Sequence, residues 1–321
     1  MIYLGKESIC SSVSREELLD EVENVLRQQE VGDFSMPSRS HIGSEKNAFL
    51  LMPCLTKSFF GTKLVSVFPD NARQNLPSVD AVMILSNATT GEILAILDGQ
   101  TLTTLRTGAV GGVGIRHLSS PDVETLGIVG TGVQGLSQAL FAASVLPIKV
   151  INVFGRRPEA AATLVEKLSL ELPGIRVKAT TKIESLLESS QVVITATSSA
   201  VPVLPNEETL LKGKLFVGIG SYTPNMREFP EALYNLANSI FVDTSHATEE
   251  SGDLVEPLLK EWITRDQVNT LGQFMLRDSC GADFLRGTRV FKSVGMALFD
   301  VNSAGLIYKK ALEKGLGLRL Q

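Results

Sequence analysis

Downstream of Ser14, apolar residues fall at Leu18, Leu19, Val22, Val25 and Leu26, the spacing that gathers them on one helix face. Ser14 and Glu17 stand three apart, as a capping box requires, so the helix starts there. Over residues 47–120 the texture changes. Asn47–Met52, Thr62–Phe68, Asp80–Leu85 and Glu92–Leu97 read as short strands separated by turn residues, which predicts an antiparallel sheet. A helix rich in Ala and Gly follows, from Leu102 to about Ile115. From Val123 onward strands and helices alternate. Glu124–Val129 runs into glycine, Val133–Val145 is a helix, and Lys149–Phe154 is the next strand. Pro158 opens a further helix, and Ile175–Ala179, Val192–Ala196, Lys214–Ile219 and Ile240–Val242 complete the strands. Ile175–Ala179 alternates apolar with charged positions, as an edge strand does. This order predicts a parallel, doubly wound sheet. The last helix, Val294 to about Lys314, lies beyond that region and is free to return to the N-terminal part.

The sharpest motif is Gly130-Thr131-Gly132-Val133-Gln134-Gly135, placed after an apolar strand and at the opening of a helix. That context predicts a dinucleotide site. Gly130 permits the tight turn, Gly132 lets the backbone approach a pyrophosphate, and Gly135 lets helix and strand pack closely. The helix N-terminus, with Val133 and Gln134, offers free N–H groups to phosphate. The next strand ends Phe154-Gly155-Arg156-Arg157-Pro158, with no carboxylate for a ribose diol and two guanidinium groups instead. Arg156 and Arg157 suit a 2′-phosphate, so NADP is expected, with NAD as the alternative cofactor. Two solvated arginines at a helix start are the bland reading. Thr195, Ala196 and Thr197 follow a later strand, where ligands of doubly wound sheets lie; they line the nicotinamide side or form a plain polar loop.

Composition narrows the classes. The 321 residues are 44% hydrophobic and 20% charged, which excludes disorder. A net charge of −5 argues against nucleic-acid binding. Mean hydropathy is +0.16, yet no apolar run reaches the roughly 18 residues of a membrane span. The N-terminus has no apolar signal core, so a cytoplasmic protein is expected. Cys10, Cys54 and Cys280 are scattered, and only His41, His117 and His246 are present, so no metal site is expected. Glu250, Asp253 and Glu256 are read as structural or rim residues, His41 as a loop histidine, and Trp262 and Cys54 as packing.

Four segments together resemble the ornithine cyclodeaminase/mu-crystallin family. They are Ile96-Leu97-Asp98-Gly99-Gln100-Thr101-Leu102-Thr103-Thr104-Leu105-Arg106-Thr107-Gly108-Ala109, Gly130-Thr131-Gly132-Val133-Gln134, Glu250-Ser251-Gly252-Asp253 and Phe291-Lys292-Ser293-Val294-Gly295. The resemblance covers nearly the whole chain. It implies a Rossmann sheet over residues 119–295, inserted in a second α+β substrate and dimerisation domain formed by residues 1–118 and 296–321. It implies a homodimer, and a small imino or amino acid bound beside NAD(P). It places carboxylate-binding residues at Arg39, Lys63 and Arg106, with Lys63 also able to handle protons, and further cofactor contacts at Ser78, Arg106, Thr107 and Ser293. A buried carboxylate needs such partners, and arginine offers it a fork.

One departure decides between activities. Cyclodeaminases of the family carry an Asp in a Gly-Asp-x-Pro-Gly-Lys type motif, whereas this chain reads Gly220-Ser221-Tyr222-Thr223-Pro224-Asn225-Met226-Arg227-Glu228. That form is similar to the family's cyclic ketimine reductases, which reduce Δ1-pyrroline-2-carboxylate or Δ1-piperideine-2-carboxylate to proline or pipecolate. The expected activity is therefore an NAD(P)H-dependent ketimine reductase, with the Ser221 or Tyr222 hydroxyl near the substrate nitrogen. The alternatives are a lyase (ornithine cyclodeaminase or hydroxyproline dehydratase), an alanine dehydrogenase, and a binding protein with vestigial activity.

Overall fold

The capping box forms as the spacing predicts: Ser14 Oγ accepts from the Glu17 amide at 3.2 Å, and Glu17 Oε2 accepts from the Ser14 amide at 2.9 Å. The helix Arg15–Val31 ends on Gly32, which adopts φ 77°, the left-handed cap that suits glycine. The computed structural model describes residues 1–43, 47–74, 76–276 and 282–320. Cys280 lies outside the described residues.

The chain divides into two compact units, Met1–Arg106 with Met296–Gln321, and Thr107–Gly295. The family resemblance implies a first boundary at residue 118, behind the Ala- and Gly-rich helix. The units divide inside that helix, which runs Gly99–Leu118.

The first unit holds strands β1 (Ile2–Leu4), β2 (Ser40–Gly43), β3 (Ala48–Leu55), β4 (Phe59–Val67), β5 (Val79–Asn87) and β6 (Ile93–Asp98). Strands β2 to β6 form an antiparallel meander, and β1 joins it parallel to β6. The helix Ala297–Glu313 packs across β3, β4 and β5 and against Arg15–Val31. Glycines let it approach: a Cβ at Gly61 would meet Val301, and one at Gly305 would meet Phe59. One sheet face is buried, with Leu50, Met52, Cys54, Val65, Met83 and Leu97. The opposite face stays accessible although it is apolar: Phe49, Leu55, Phe60 and Leu64 are 43%, 42%, 40% and 39% exposed.

The second unit holds β7 (Thr125–Val129), β8 (Val150–Phe154), β9 (Arg176–Ala179), β10 (Val192–Thr195), β11 (Leu215–Gly218), β12 (Ala237–Val242), β13 (Val268–Thr270) and β14 (Thr288–Lys292). Every pairing among them is parallel, in the order β13-β12-β14-β11-β10-β7-β8-β9. The expected α/β doubly wound fold is present, and β9 is the edge strand its alternation predicted. The chain reverses its direction of winding between β7 and β10, the switch point where open α/β sheets bind ligands. A two-residue strand, β15 (Leu318–Arg319), closes the first unit's sheet beside β1.

Candidate active site

At the carboxyl end of β7 the chain turns through Gly130 at φ 119°, a conformation that favours glycine. A Cβ there would collide with the Ala196 backbone, and one at Gly135 with the Gly130 carbonyl. The loops after β7 and β10 are joined by the Ala196 amide, which donates to the Val129 carbonyl at 2.8 Å. Gly132 has open space where a Cβ would stand, and it caps the helix Val133–Val145. Val133 is 65% exposed at the helix tip, and the first-turn amides have no partner within the helix. This open glycine tip at a switch point fits a dinucleotide pyrophosphate. Arg156 and Arg157, behind β8, are both exposed, and Arg157 is the N-cap of Pro158–Glu171. Among the described residues neither forms an ion pair, so both forks are available.

A buried cluster joins Glu228, after β11, to Asp253 on the helix Gly252–Leu259 and to Lys292 at the end of β14; of these the sequence pattern singles out Asp253 alone. Glu228 is fully buried. Its Oε1 accepts from the Thr197 amide at 2.7 Å and hydroxyl at 2.8 Å, and its Oε2 accepts from the amides of Gly220 at 2.8 Å and Ser221 at 3.3 Å. Asp253 Oδ1 accepts from the Glu228 and Phe229 amides at 2.7 and 3.0 Å. Lys292 Nζ lies 3.2 Å from Asp253 Oδ2, an ion pair whose angles fall outside hydrogen-bond geometry, and both side chains are fully buried. Burial pushes the Glu228 carboxyl above its ordinary range; the Lys292 charge opposes that and the Asp253 charge adds to it. Asp253 is thus structural, as expected, while Glu256 pairs with Arg227 and Lys260 nearer the surface. Trp262 packs beneath the Arg227 and Lys260 cations.

Two expectations about hydroxyls change. Ser221 is fully buried, donates to the Met226 carbonyl at 2.5 Å and shares a 2.7 Å hydrogen bond with Ser251 Oγ. It orders its own loop and does not present a hydroxyl to a substrate nitrogen; Tyr222 beside it is half-buried. Ser293 donates to Asp243 Oδ2 at 2.7 Å, and the same oxygen takes the Gly295 amide at 2.7 Å, so this side chain is spent on ordering the segment after β14. Thr195 Oγ1 is buried with no partner among the described residues. Thr107 is buried, and its carbonyl accepts from Gln138 at 2.7 Å. Ser78 stands in the first unit, just ahead of β5.

In the first unit β4 and two helices converge on one carboxylate. Lys63, on β4, points to the buried face and is 2% exposed. Its Nζ donates to Asp300 Oδ1 at 2.9 Å and to Thr103 Oγ1 at 3.2 Å. Arg106 Nε donates to the same Asp300 oxygen at 3.0 Å. Arg39 is close enough to act on the Lys63 charge. Burial drives the Lys63 ammonium down to about 8; Asp300 opposes this, and Arg106 and Arg39 add to it. Burial alone would raise the Asp300 carboxyl, but the Arg106 and Lys63 charges win and hold it below its ordinary range. The three cations named from sequence are thus brought together, around a carboxylate that was not named. Asp300 was legible: it stands on the buried stripe Ala297, Asp300, Val301, Ala304, where a charge needs partners. His41 is exposed on the edge strand β2.

The sequence pattern of the ornithine cyclodeaminase/mu-crystallin family matches residues 3–315. The chain belongs to this family. It is 33% identical over 284 residues to a Δ1-pyrroline-2-carboxylate reductase of Bacillus cereus, an alignment covering 87% of this chain and 86% of the relative. Among solved structures, the Thermococcus litoralis Δ1-pyrroline-2-carboxylate reductase in complex with NADH and L-proline superposes with a TM-score of 0.92 at 29% identity, covering both chains completely. An archaeal alanine dehydrogenase dimer with bound NAD gives 0.91 at 28% identity, covering 100% of this chain and 99% of that one. Among the described residues, no helix is long and apolar enough to cross a membrane.

Proposed function

We propose that the chain is an NAD(P)H-dependent reductase of small cyclic imino acids, converting Δ1-pyrroline-2-carboxylate or Δ1-piperideine-2-carboxylate to L-proline or L-pipecolate. The observation that carries this reading is the buried Lys63–Arg106–Asp300 cluster, a cationic grip of net positive charge with Arg39 beside it. Such a grip recognises a carboxylate and binds neutral molecules poorly. Arg106 commits Nε to Asp300, so its two terminal nitrogens are left for the substrate carboxylate. The glycine turn and the amides of Val133 and Gln134 would hold the pyrophosphate, and Thr195, Ala196 and Thr197 would line the nicotinamide side. Reduced nicotinamide, when bound, would supply a hydride for C2 of the protonated imine. The Lys63 ammonium, near neutrality in its titration, can give the imine nitrogen its proton and recover one from solvent.

The experiment is an assay of NADPH and NADH oxidation across five- and six-membered cyclic imino acids, with ornithine and with pyruvate plus ammonia as controls. We expect turnover on the imino acids without free ammonia, and NADPH preferred. Replacing both Arg156 and Arg157 with alanine should raise KM for NADPH about 10- to 100-fold, through loss of charge-assisted donors, and leave NADH unchanged. Higher kcat/KM with NADH than with NADPH in the unaltered protein overturns the NADP reading. The likeness to alanine dehydrogenase supports one rival: a strict requirement for ammonia, with pyruvate as substrate, would establish it instead.

The protein also acts as a homodimer in this reading. Antiparallel sheets ordinarily turn a polar face to water. Here the accessible face carries Phe49, Leu51, Leu55, Phe60, Leu64 and Ile84, an apolar surface that a second copy of the sheet would cover. Leu64→Asp at its centre should convert the dimer to a monomer in sedimentation velocity at micromolar concentration. A protein that sediments as a monomer before any substitution sinks the dimer reading.

A further inference from the structure

Asp300 is the anion of the first unit's charged cluster and, unlike the cations, takes no part in gripping the substrate carboxylate. It is fully buried, and its two oxygens are used unequally. Oδ1 receives both Lys63 and Arg106, at 2.9 and 3.0 Å, while Oδ2 has no hydrogen-bond partner among the described residues. A buried carboxylate with a vacant oxygen is held by those two cations alone, and each cation is in turn placed by the shared oxygen. Two like charges converging on one atom repel each other, so their convergence depends on the charge of that atom.

We propose that Asp300 is a positioning residue for imine reduction: through Oδ1 it fixes the Lys63 ammonium and the Arg106 guanidinium side by side, and its charge keeps the proton on Lys63. Without it, Lys63 and Arg106 would be two uncompensated cations in a buried site. Lys63 has the readiest escape, which is to lose its proton. With Asp300 in place the net charge of Lys63, Arg106 and Asp300 is +1, and a substrate carboxylate neutralises it. Among the described residues, few groups face Lys63. Arg106 and the Thr103 hydroxyl come from the helix Gly99–Leu118, Arg39 from the segment before β2, and Asp300 from the helix Ala297–Glu313. Cys54 on β3 senses the same carboxylate, but burial, with Asp300 adding to it, pushes the thiol up to about 12, so it stays neutral over the working range.

The inference rests on the reductase reading, and the test separates the two. With a cyclic imino acid and NADPH, kcat/KM should fall above a pH near 8, where Lys63 loses its proton. Asp300→Asn removes the carboxylate that opposes this loss, so the falling limb should move to lower pH by about one unit or more. Asp300→Glu keeps the charge and displaces it; the limb should stay near that of the unaltered protein while KM rises about tenfold. An unmoved limb in Asp300→Asn, with only a lowered melting temperature, would falsify the proposal. Where that variant does not fold, Asp300→Glu decides: an unchanged KM removes the positioning role, and a limb displaced downward removes the charge role. The Lys63 ammonium signal in ¹H–¹⁵N spectra, assigned by its loss in Lys63→Arg, reports the same titration without turnover. If the unaltered protein reduces no cyclic imino acid, the functional reading fails, and the spectra still decide whether Asp300 holds the Lys63 proton.

Discussion

Replacing Arg106 with alanine is expected to raise KM for a cyclic imino acid about 100-fold while the affinity for NADPH changes far less. Hydrogen bonds to charged groups contribute about 1.5–3 kcal/mol each, and loss of about 3 kcal/mol corresponds to roughly 100-fold in an equilibrium constant. The variant does more than delete a contact. Arg106 and Lys63 share one oxygen of Asp300, and the Arg106 charge is among the influences that depress the Lys63 ammonium. Removing it takes away the larger of the two cationic charges that depress Lys63, so Lys63 should hold its proton to higher pH than before. The falling limb of kcat/KM should then move upward, opposite to the shift expected for Asp300→Asn. Steady-state kinetics from pH 6 to 10 would check both. An unchanged KM would show that the carboxylate binds elsewhere; a raised KM with an unmoved limb would show that Arg106 binds substrate without influencing Lys63.

The two units differ in how far the sequence exposed them. Local signals were strong wherever one residue type had one physical use. The Ser14–Glu17 box, the glycine turn at Gly130 and the alternation of Ile175–Ala179 each appear in the structure where the pattern put them. Side chains whose role depends on a partner distant in the chain were harder. Lys63 and Asp300 are 237 residues apart, and nothing near either position names the other. Ser221 is the converse case. Its place in a motif similar to that of the family's ketimine reductases implies a hydroxyl near the substrate nitrogen, but the Met226 carbonyl and the Ser251 hydroxyl, which folding brings beside it, take it up. A hydroxyl satisfies itself with whatever carbonyl lies near, so its direction is a tertiary fact. The first boundary between the units behaved likewise: the helix Gly99–Leu118 is continuous in sequence and in structure, and only packing divides it at Arg106.

The buried Glu228, Asp253 and Lys292 supply the second large effect, on stability rather than on turnover. Replacing Lys292 with methionine is expected to destabilise the protein by about 3–5 kcal/mol at pH 8, because it leaves two carboxylates buried without a cation. Methionine matches the volume, so the loss reports charge and not a cavity. The loss should shrink as the pH is lowered. Burial already lifts the Glu228 carboxyl above its unfolded value, and Lys292 is the charge that opposes the rise. Without Lys292 the folded value rises further. The native state then binds more protons than the unfolded state from just above the unfolded carboxylate value upward, and stability declines as pH increases through that window. Urea unfolding at pH 5.5 and pH 8 should therefore give a smaller deficit at the lower value. Glu228 accepts from Thr197 and Gly220 at the mouth of the dinucleotide cradle, so the strain is placed where the loops after β10 and β11 are set. A deficit of equal size at both pH values would mean that Lys292 acts through packing alone, with its charge compensated by groups other than these two carboxylates.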